Sequence, residues 1–256
     1  MQTVVPSEPV IPVFTRWFGT WQIAVARRAY TSQQLSQFYD AQAPRWDRTL
    51  GRLGCHDAYR SLFAKLARHG ELDLPPSANR VLDAGIGTGA LCLALQETVD
   101  RPLVLDGVDL SARMLDQAAN NLRARGYRAA LTQASITALP YDDDTFDLVM
   151  SAHVLEHVPD PQAALKELQR VLKPGGLLLA CITRRSRLGA YVHLKWHTHQ
   201  ISAHEGRHWF RACGLRAIRV LPFNKGTLTR RTSIAYMGRK TPPPSPHDSL
   251  EPHTWT

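Results

Sequence analysis

Cysteine is scarce in this chain, which has four cysteines among 256 residues. They stand alone at Cys55, Cys92, Cys181 and Cys213, and no C-x-x-C pair occurs. Because a structural zinc site or a dithiol redox centre usually relies on such pairs, the sequence argues against both. Cys92 and Cys181 are predicted to be small core residues, and a reducing compartment is the simplest setting for unpaired thiols.

Long hydrophobic runs are missing as well. No stretch of 18 apolar residues occurs, so we expect no membrane-spanning helix. The N-terminus lacks a basic segment followed by a clean apolar one, which argues against a secretory signal. Both absences predict a cytoplasmic location. The length fits one domain with additions, and a hydrophobic content of 44% is enough for a full core.

Acidic residues are outnumbered, with 22 Asp and Glu against 31 Lys and Arg and a formal net charge of +9. Such a balance suits nucleic acid, anionic lipid or an acidic substrate. The basic residues are dispersed except for Arg184, Arg185 and Arg187, and no arginine–aromatic pattern of a nucleic-acid module occurs. We therefore do not expect nucleic acid as a partner.

Apolar residues near the N-terminus follow helical spacing: Val13, Phe14, Trp17, Phe18 and Trp21. The spacing predicts a helix, and basic residues such as Arg16 and Arg27 lie close by. We favour a helix that caps the core of the domain. The alternative is a basic amphipathic helix that makes a peripheral contact with a membrane surface.

The most informative motif is a glycine turn between a predicted strand and a predicted helix. Apolar residues 80–82 predict a buried strand. Gly85, Gly87 and Gly89 follow at alternate positions, and helix-forming residues come next, an order typical of nucleotide sites. Asp83 precedes the glycines and would repel a pyrophosphate. It would attract S-adenosylmethionine (SAM), whose sulfonium and ammonium groups are cationic.

With Asp83 in front, the run from Gly85 through Ile86 and Gly87 to Gly89 resembles the first motif of class I SAM-dependent methyltransferases. The resemblance implies a doubly wound, seven-stranded α/β sheet of Rossmann-like type with an N-terminal helical cap. It also implies SAM as the methyl donor, with its methionine portion on this turn. The same glycines fit a dinucleotide fingerprint, so a nicotinamide-dependent oxidoreductase is a rival. A second rival is a non-catalytic module of this fold that binds a membrane or a partner.

An acidic residue is expected at the end of the second strand, where a carboxylate can accept hydrogen bonds from the ribose hydroxyls. Asp109 ends the apolar run, whereas Asp106 lies inside the strand pattern, so we favour Asp109. Ser111 would cap the following helix. Leu110 and Met114 beside it are assigned to the same cofactor site.

A loop residue bonds the adenine amino group in the family that the chain resembles, and that residue is usually acidic. Ser135 stands at this place, and its hydroxyl accepts a hydrogen bond more weakly than a carboxylate does. The backbone amide of Ile136 would meet the adenine ring. Serine in place of the usual acidic residue predicts weaker SAM binding and leaves the expected fold unchanged.

Residues 146–158 predict a strand that runs into a loop and a short helix, and they resemble the segment after the fourth strand of small-molecule methyltransferases. In that resemblance, Ser151 to His153 lie under the sulfonium. His153, Glu156 and His157 have the spacing of one helical face. His153 and His157 are our candidate catalytic residues, because histidine can act as a base near neutral pH.

Three roles stay open for this run. It resembles the E-x-x-E-H motif of metal-assisted methyltransferases, but His153 replaces the first Glu, so we do not expect a divalent metal. Glu156 and His157 can instead brace the helix, as this run does in methyltransferases without metal. His153 can line the pocket or act as a base.

Three regions are expected along the chain: an N-terminal extension with a helical cap over 1–70, a SAM-binding domain over 71–240 with an insert at 184–201, and a disordered tail at 241–256.

The segment around Tyr39 resembles one that covers SAM in small-molecule and lipid-precursor methyltransferases, with Tyr39 at its methionine end or in the core. We expect methyl transfer to oxygen, nitrogen or carbon of a small acceptor that can be apolar, such as a quinone or lipid precursor.

Overall fold

The computed structural model describes residues 10–28, 30–72, 77, 79–186, 188 and 201–242, with backbone alone for 10–15 and 24–27. Its strands are β1 (Val10–Phe18), β2 (Trp21–Arg28), β3 (Arg80–Ala84), β4 (Val104–Asp109), β5 (Ala129–Gln133), β6 (Phe146–Ala152), β7 (Leu172–Thr183), β8 (Leu215–Pro222) and β9 (Ser233–Lys240). Its α-helices are α1 (Ser32–Leu53), α2 (Cys55–Arg68), α3 (Ala90–Gln96), α4 (Ala112–Ala124), α5 (Pro161–Arg170), α6 (Ala203–Ala212) and α7 (Thr229–Thr232).

Seven strands form one sheet in the order β5-β4-β3-β6-β7-β9-β8. Strands β3 to β7 pair in parallel, and β9 runs antiparallel between β7 and β8. The chain leaves β3 toward β4 on one side and returns to β6 on the other, so the strand order reverses between β3 and β6. A crevice at the carboxyl ends of the strands is expected at such a reversal. The α/β fold class predicted from the sequence is confirmed.

Apolar clusters cover both faces of the sheet, because successive strand residues point to opposite sides. On β3, Val81 packs into the cluster that includes α2, α3 and α4, whereas Leu82 packs into the cluster with α5 and α6. Cys92 and Cys181 are buried in the first cluster, as predicted. Strands covered on both faces read as continuous apolar runs, which is how these strands appear in the sequence.

The N-terminal aromatic segment is a β-hairpin, so the predicted helix is wrong. Strands β1 and β2 form a separate two-stranded antiparallel sheet in which Phe18 pairs with Trp21 and Trp17 with Gln22. Gly19, the first turn residue, has φ +59°, as tight hairpin turns require. Aromatic and β-branched residues favour strands, and this preference together with the turn prevails over the helical spacing.

Helices α1 and α2 lie N-terminal to the seven-stranded sheet and pack against it, in place of the cap helix predicted at Val13 to Trp21. Thr31 and Gln34 form a capping box that begins α1. Gly54 has φ +74° and separates α1 from α2, since a left-handed residue ends a helix. Tyr39 lies inside α1, two turns after its start.

The C-terminal half follows the sequence closely. Ser202 and Glu205 form the predicted capping box of α6, and β8 and β9 form the predicted antiparallel pair. The Pro-Gly-Gly run at 174–176, expected as a stop before the fifth strand, lies inside β7 next to an irregularity in its pairing with β6.

Two expected segments lie almost wholly outside the described residues. Of the insert at 184–201, the structure describes 184–186, 188 and 201, and of the tail at 241–256 it describes 241 and 242. Across the part of the chain that is described, no helix is long and apolar enough to cross a membrane.

Candidate active site

The glycine turn after β3 forms the floor of a cavity at the carboxyl edge of the sheet. Gly85, Gly87 and Gly89 have φ values of +79°, +53° and +88°, a region that side-chain-bearing residues rarely adopt. A Cβ on Gly85 would come within 2.2 Å of Val154 Cγ2. The alternate glycines are therefore needed for the backbone path and for the close approach of the loop after β6.

Asp83 lies at the bottom of this cavity with 1% of its surface exposed. Neither carboxylate oxygen forms a hydrogen bond of ordinary distance and angle with a described residue, although the backbone amide of Cys92 is close enough to act to lower its pKa. Burial is the main cause that raises the pKa of Asp83, to about 7. A buried carboxylate without a donor is costly in the protein alone, so this position suits a ligand that brings a cation or hydrogen-bond donors.

Asp109 lies at the end of β4 and faces the same cavity. One oxygen accepts a hydrogen bond from Gly87 N at 2.9 Å and the other from Ser111 N at 2.9 Å. Burial raises the pKa of Asp109 to about 6, although these amide donors act in the opposite direction. Asp106 is absent from the cavity lining and pairs with Arg80 Nε at 3.4 Å, so the geometry agrees with the choice of Asp109.

The loop after β5 supplies the other wall of the cofactor end. Ile136 is buried, and it lines the cavity together with Ser135, Leu110 and Met114. The Ser135 hydroxyl is 2.7 Å from Thr137 Oγ1 and also accepts from Thr137 N at 3.2 Å. This hydroxyl is therefore engaged locally and is a weaker adenine contact than a free carboxylate would be.

Helix α1 closes over the glycine turn. Ser36 Oγ donates to Leu110 O at 2.9 Å, Asp40 accepts from Ser111 Oγ, and Asp47 accepts from Asn121 Nδ2 at 2.7 Å. These contacts hold the helix against the loops after β4 and along α4. The sequence did not predict these contacts, although Asp40 and Asp47 belong to the segment that resembles a cover over SAM.

Tyr39 points from α1 into the cavity and contacts the 3₁₀ turn Leu155–His157. Its hydroxyl forms a hydrogen bond of 2.8 Å with His157 Nε2, and its ring packs edge-on against Trp46. Burial first, and then the charges of Glu156 and Asp109, raise the pKa of Tyr39 well above its ordinary value. Tyr39 therefore stays protonated and bridges the cap to the loop after β6.

His153 occupies a strained position directly after β6, with φ +58°. Nδ1 lies 3.1 Å from Glu156 Oε1 and 3.2 Å from Thr183 Oγ1, and Nε2 lies 3.5 Å from Ser233 Oγ. Its side chain is 24% exposed and lines the cavity. His153 precedes the short 3₁₀ turn, so the predicted single helical face for His153, Glu156 and His157 is wrong.

Glu156 is fully buried and braces β7, because one oxygen accepts from Thr183 N at 2.9 Å. Burial alone would raise the pKa of Glu156. The hydrogen bond and charge of His153, the charge of His157 and the Thr183 amide outweigh it and lower the pKa to about 2. A carboxylate only accepts hydrogen bonds, so His153 Nδ1–H donates to Glu156 Oε1, which leaves Nε2 as the nitrogen that can accept whenever the ring carries a single proton.

The far end of the cavity is mainly apolar and comes from elements that are distant in sequence. Its lining is Leu35, Leu50, Leu53, Cys55, Tyr59, Thr183, Thr229, Thr232 and Ser233, whereas Trp46 lies beside Gly87 of the glycine turn. Apart from Trp46, which was noted in the segment thought to cover SAM, sequence reasoning gave none of these a place in the site. The spacing of Thr229 and Thr232 on one face of α7 was an available but weak signal.

Most of the residues assigned to the site from the sequence line this one cavity. Two of them do not: Gly89 begins α3, and Ser151 is buried with its hydroxyl donating to Ala84 O at 2.8 Å. Among the described residues, no group of three or more His, Cys, Asp or Glu side chains is arranged to hold a metal ion.

Comparison with known proteins identifies the class. Residues 82–180 match the methyltransferase domain family. The ubiquinone/menaquinone biosynthesis C-methyltransferase UbiE of Syntrophotalea carbinolica is 40% identical over 57% of this chain and 60% of that protein. A SAM-dependent methyltransferase of Thermotoga maritima superposes with a TM-score of 0.59 at 23% identity, over 80% of this chain and 99% of that one. Residues 82–180 are therefore a methyltransferase domain, and the chain has the fold of class I SAM-dependent methyltransferases.

The similarity has two limits. The chain spans between 46% and 60% of the length of three curated relatives that it matches. A [4+2]-cyclase, SpnF, also shares the fold, with a TM-score of 0.66 at 21% identity over 84% of this chain and 98% of that one. The fold therefore does not name the reaction, which must be argued from the site.

Proposed function

We propose that this protein transfers a methyl group from SAM to a small, mainly apolar acceptor. The observation that carries the proposal is a single cavity with two different ends. One end has the unpartnered carboxylate of Asp83, the glycine turn and Asp109. The other end is walled by apolar and aromatic side chains of α1 and α2. Donor and acceptor held in one cavity can react without the entropy cost of a bimolecular encounter.

The residues at the first end fit SAM. Asp83 is buried and lacks a donor among the described residues, so it would hold the ammonium group of the methionine portion. Asp109 retains lone pairs beyond its two amide hydrogen bonds and would accept from the ribose hydroxyls. Ile136 and Met114 would cover the adenine. When bound, SAM supplies an electrophilic methyl group on a good leaving sulfur.

The residues at the second end suit a hydroxylated aromatic acceptor. Leu50, Leu53 and Tyr59 offer apolar contact. The hydroxyls of Thr229 and Thr232 donate to backbone carbonyls and can only accept a hydrogen bond from a ligand. The relative named as a quinone-biosynthesis C-methyltransferase supports a quinol or phenol ring as the acceptor and carbon as the methylated atom.

His153 would act as the general base in such a reaction. Glu156 fixes the Nδ1–H tautomer and stabilises the positive charge that His153 acquires, so Nε2 can take the acceptor's hydroxyl proton. Loss of that proton moves electron density to the ring carbon, which becomes nucleophilic toward the methyl group. The sulfur keeps the electron pair of the broken bond and leaves as S-adenosylhomocysteine. The ring carbon then loses its own proton to solvent, which restores aromaticity, and the oxygen regains its proton from His153. Glu156 is a positioning residue, because its described contacts are with His153 and β7.

Ligand binding tests the cofactor half of the proposal. In calorimetric titration, the unmodified protein should bind S-adenosylhomocysteine and not NADH. Asp109→Ala should weaken that binding by about tenfold or more through loss of the ribose hydrogen bonds. Asp106→Ala is the matched control, because Asp106 is buried on the same strand and absent from the cavity lining. Equal loss in both variants, or binding of NADH alone, would contradict the assignment.

Methyl transfer tests the acceptor half. Labelled methyl from SAM should appear on carbon of a soluble demethylated quinol. A simple phenylamine of the same size should accept little or none. If label transfers only to the amine, or to neither compound while S-adenosylhomocysteine binds, the acceptor assignment is wrong and the cofactor assignment stands.

A further inference from the structure

The hairpin β1–β2 carries an unusual concentration of exposed apolar side chains. Trp17, Phe18, Trp21 and Ile23 are 64%, 53%, 77% and 52% exposed. Among the described residues, Val104 is the only other large hydrophobic side chain with comparable exposure, at 51%. Single exposed apolar residues are ordinary on protein surfaces, whereas four clustered at one hairpin tip indicate an interaction site.

The apolar tip has two sides. Phe18 and Trp21 are directly paired and so share one face of the hairpin, with Ile23 on the same face. Trp17, paired with Gln22, points to the opposite face. A flat protein surface, or a second copy of this chain, would cover one face and leave the other in water. The interfacial layer of a lipid bilayer can surround both faces, and tryptophan is the residue most favoured there.

The charge of the hairpin also favours a lipid bilayer as its partner. Residues 10–28 contain three arginines, Arg16, Arg27 and Arg28, and no aspartate or glutamate. The whole chain has a formal net charge of +9. Basic residues near an anionic membrane surface contribute about 1 kcal/mol each, while an acidic protein partner would not need the two-sided aromatic tip.

We propose that the β1–β2 hairpin is an interfacial anchor that holds this protein on an anionic lipid bilayer, with Trp17, Phe18 and Trp21 entering the headgroup layer. Strands pair their own backbone groups across the hairpin, so only side chains and the two-residue turn need to enter. The proposal does not depend on the methyl-transfer reaction. It replaces the basic helix that the sequence suggested with a hairpin whose tip the structure describes.

Vesicle co-sedimentation of the full-length protein tests the anchor. Phosphatidylcholine vesicles with about one third phosphatidylserine should bind the protein, and added salt should weaken binding because it screens the arginines. Replacing both tryptophans, Trp17→Ser with Trp21→Ser, should lower partitioning by about tenfold or more. Val104→Ser is the matched control, since it removes an exposed apolar side chain elsewhere and should partition like the unmodified protein.

A second measurement keeps the test decisive. Brominated lipids should quench tryptophan fluorescence in the unmodified protein and much less in the double variant. Retained S-adenosylhomocysteine binding and an unchanged melting temperature would show that the variant is folded. Absence of vesicle binding in the unmodified protein overturns the proposal. So does equal loss in the Val104→Ser control, or a dimer in vesicle-free sedimentation that disappears in the double variant.

Discussion

The cofactor end of the cavity and its acceptor end differ in how the chain assembles them. Asp83, the glycine turn and Asp109 belong to one β3–α3–β4 unit, so local geometry holds them together. The acceptor end brings Tyr39 of α1 and His153 after β6 against Thr229 of α7, which are far apart in the chain. If the proposed function holds, the donor would be bound by one local unit, whereas the acceptor end could change without disturbing that unit.

The two ends also differ in electrostatics. The cofactor end holds carboxylates whose pKa values are raised, about 7 for Asp83 and about 6 for Asp109, because both are buried. Glu156, on the acceptor side, has its pKa lowered to about 2 by His153, His157 and the Thr183 amide despite its burial. Both oxygens of Asp83 lack a hydrogen-bond partner among the described residues, whereas Glu156 has one oxygen bonded to His153 and the Thr183 amide and only the other without a partner.

The largest expected effect comes from the acceptor end. His153→Ala should lower kcat by roughly 100-fold to 10,000-fold, the range that a general base contributes. The affinity for S-adenosylhomocysteine should change little, because His153 does not belong to the cofactor floor. Steady-state kinetics together with calorimetry separate the two quantities.

His204→Ala is the control for this prediction, because His204 is exposed on α6 and should behave like the unmodified enzyme. Glu156→Gln should lower kcat less than His153→Ala and leave KM for the acceptor nearly unchanged, as a positioning role requires. A His153→Ala enzyme with full kcat would remove the base from the mechanism and leave positioning alone.

An intermediate effect is expected for Asp83→Asn, with opposite signs for binding and stability. Affinity for S-adenosylhomocysteine should fall by about tenfold or more, because the charge that faces the ammonium is lost. Folded Asp83 has a pKa of about 7, above the unfolded value of about 3.9. The folded state therefore holds the extra proton, and its stability decreases as pH rises between these values.

The variant should consequently melt at a higher temperature than the unmodified apo protein at pH 8 and at a similar temperature at pH 4. The difference at pH 8 is on the order of 4 kcal/mol at most. Calorimetric melting across this pH range gives the measurement, with Asp106→Asn as control. A variant that is less stable at pH 8 would mean that Asp83 is satisfied within the protein and is not held for a cation.

The smallest expected effect is for Tyr39→Phe, which tests the bridge between the cap and the acceptor end. The variant keeps the ring contact with Trp46 and loses the hydrogen bond to His157. We expect S-adenosylhomocysteine to bind about fivefold more weakly, which corresponds to about 1 kcal/mol. Tyr141→Phe removes a hydroxyl outside the cavity and should leave affinity unchanged. Equal affinities in both variants would mean that the cap closes without Tyr39.

The sheet and the cofactor floor could be predicted because their signals are local. Alternate glycines after an apolar strand, an acidic residue at the end of the next one and the capping box at Ser202 each act over a few residues. The hairpin was missed because its apolar residues fit helical spacing as well as strand pairing. The turn at Gly19 was the signal that favoured strands.

By itself, the sequence determined the class of fold, the glycine turn between Asp83 and Asp109, and the histidine that stands after β6, because each depends on short-range geometry and charge. Tertiary structure alone decided that Glu156 completes His153, that α1 closes the cavity through Ser36, Asp40 and Asp47, and which side chains wall the acceptor. The α1 contacts join residues more than 70 positions apart, and Glu156 is held beside its near neighbour His153 by Thr183 of β7. Their free energy exists only once the sheet has brought these segments together.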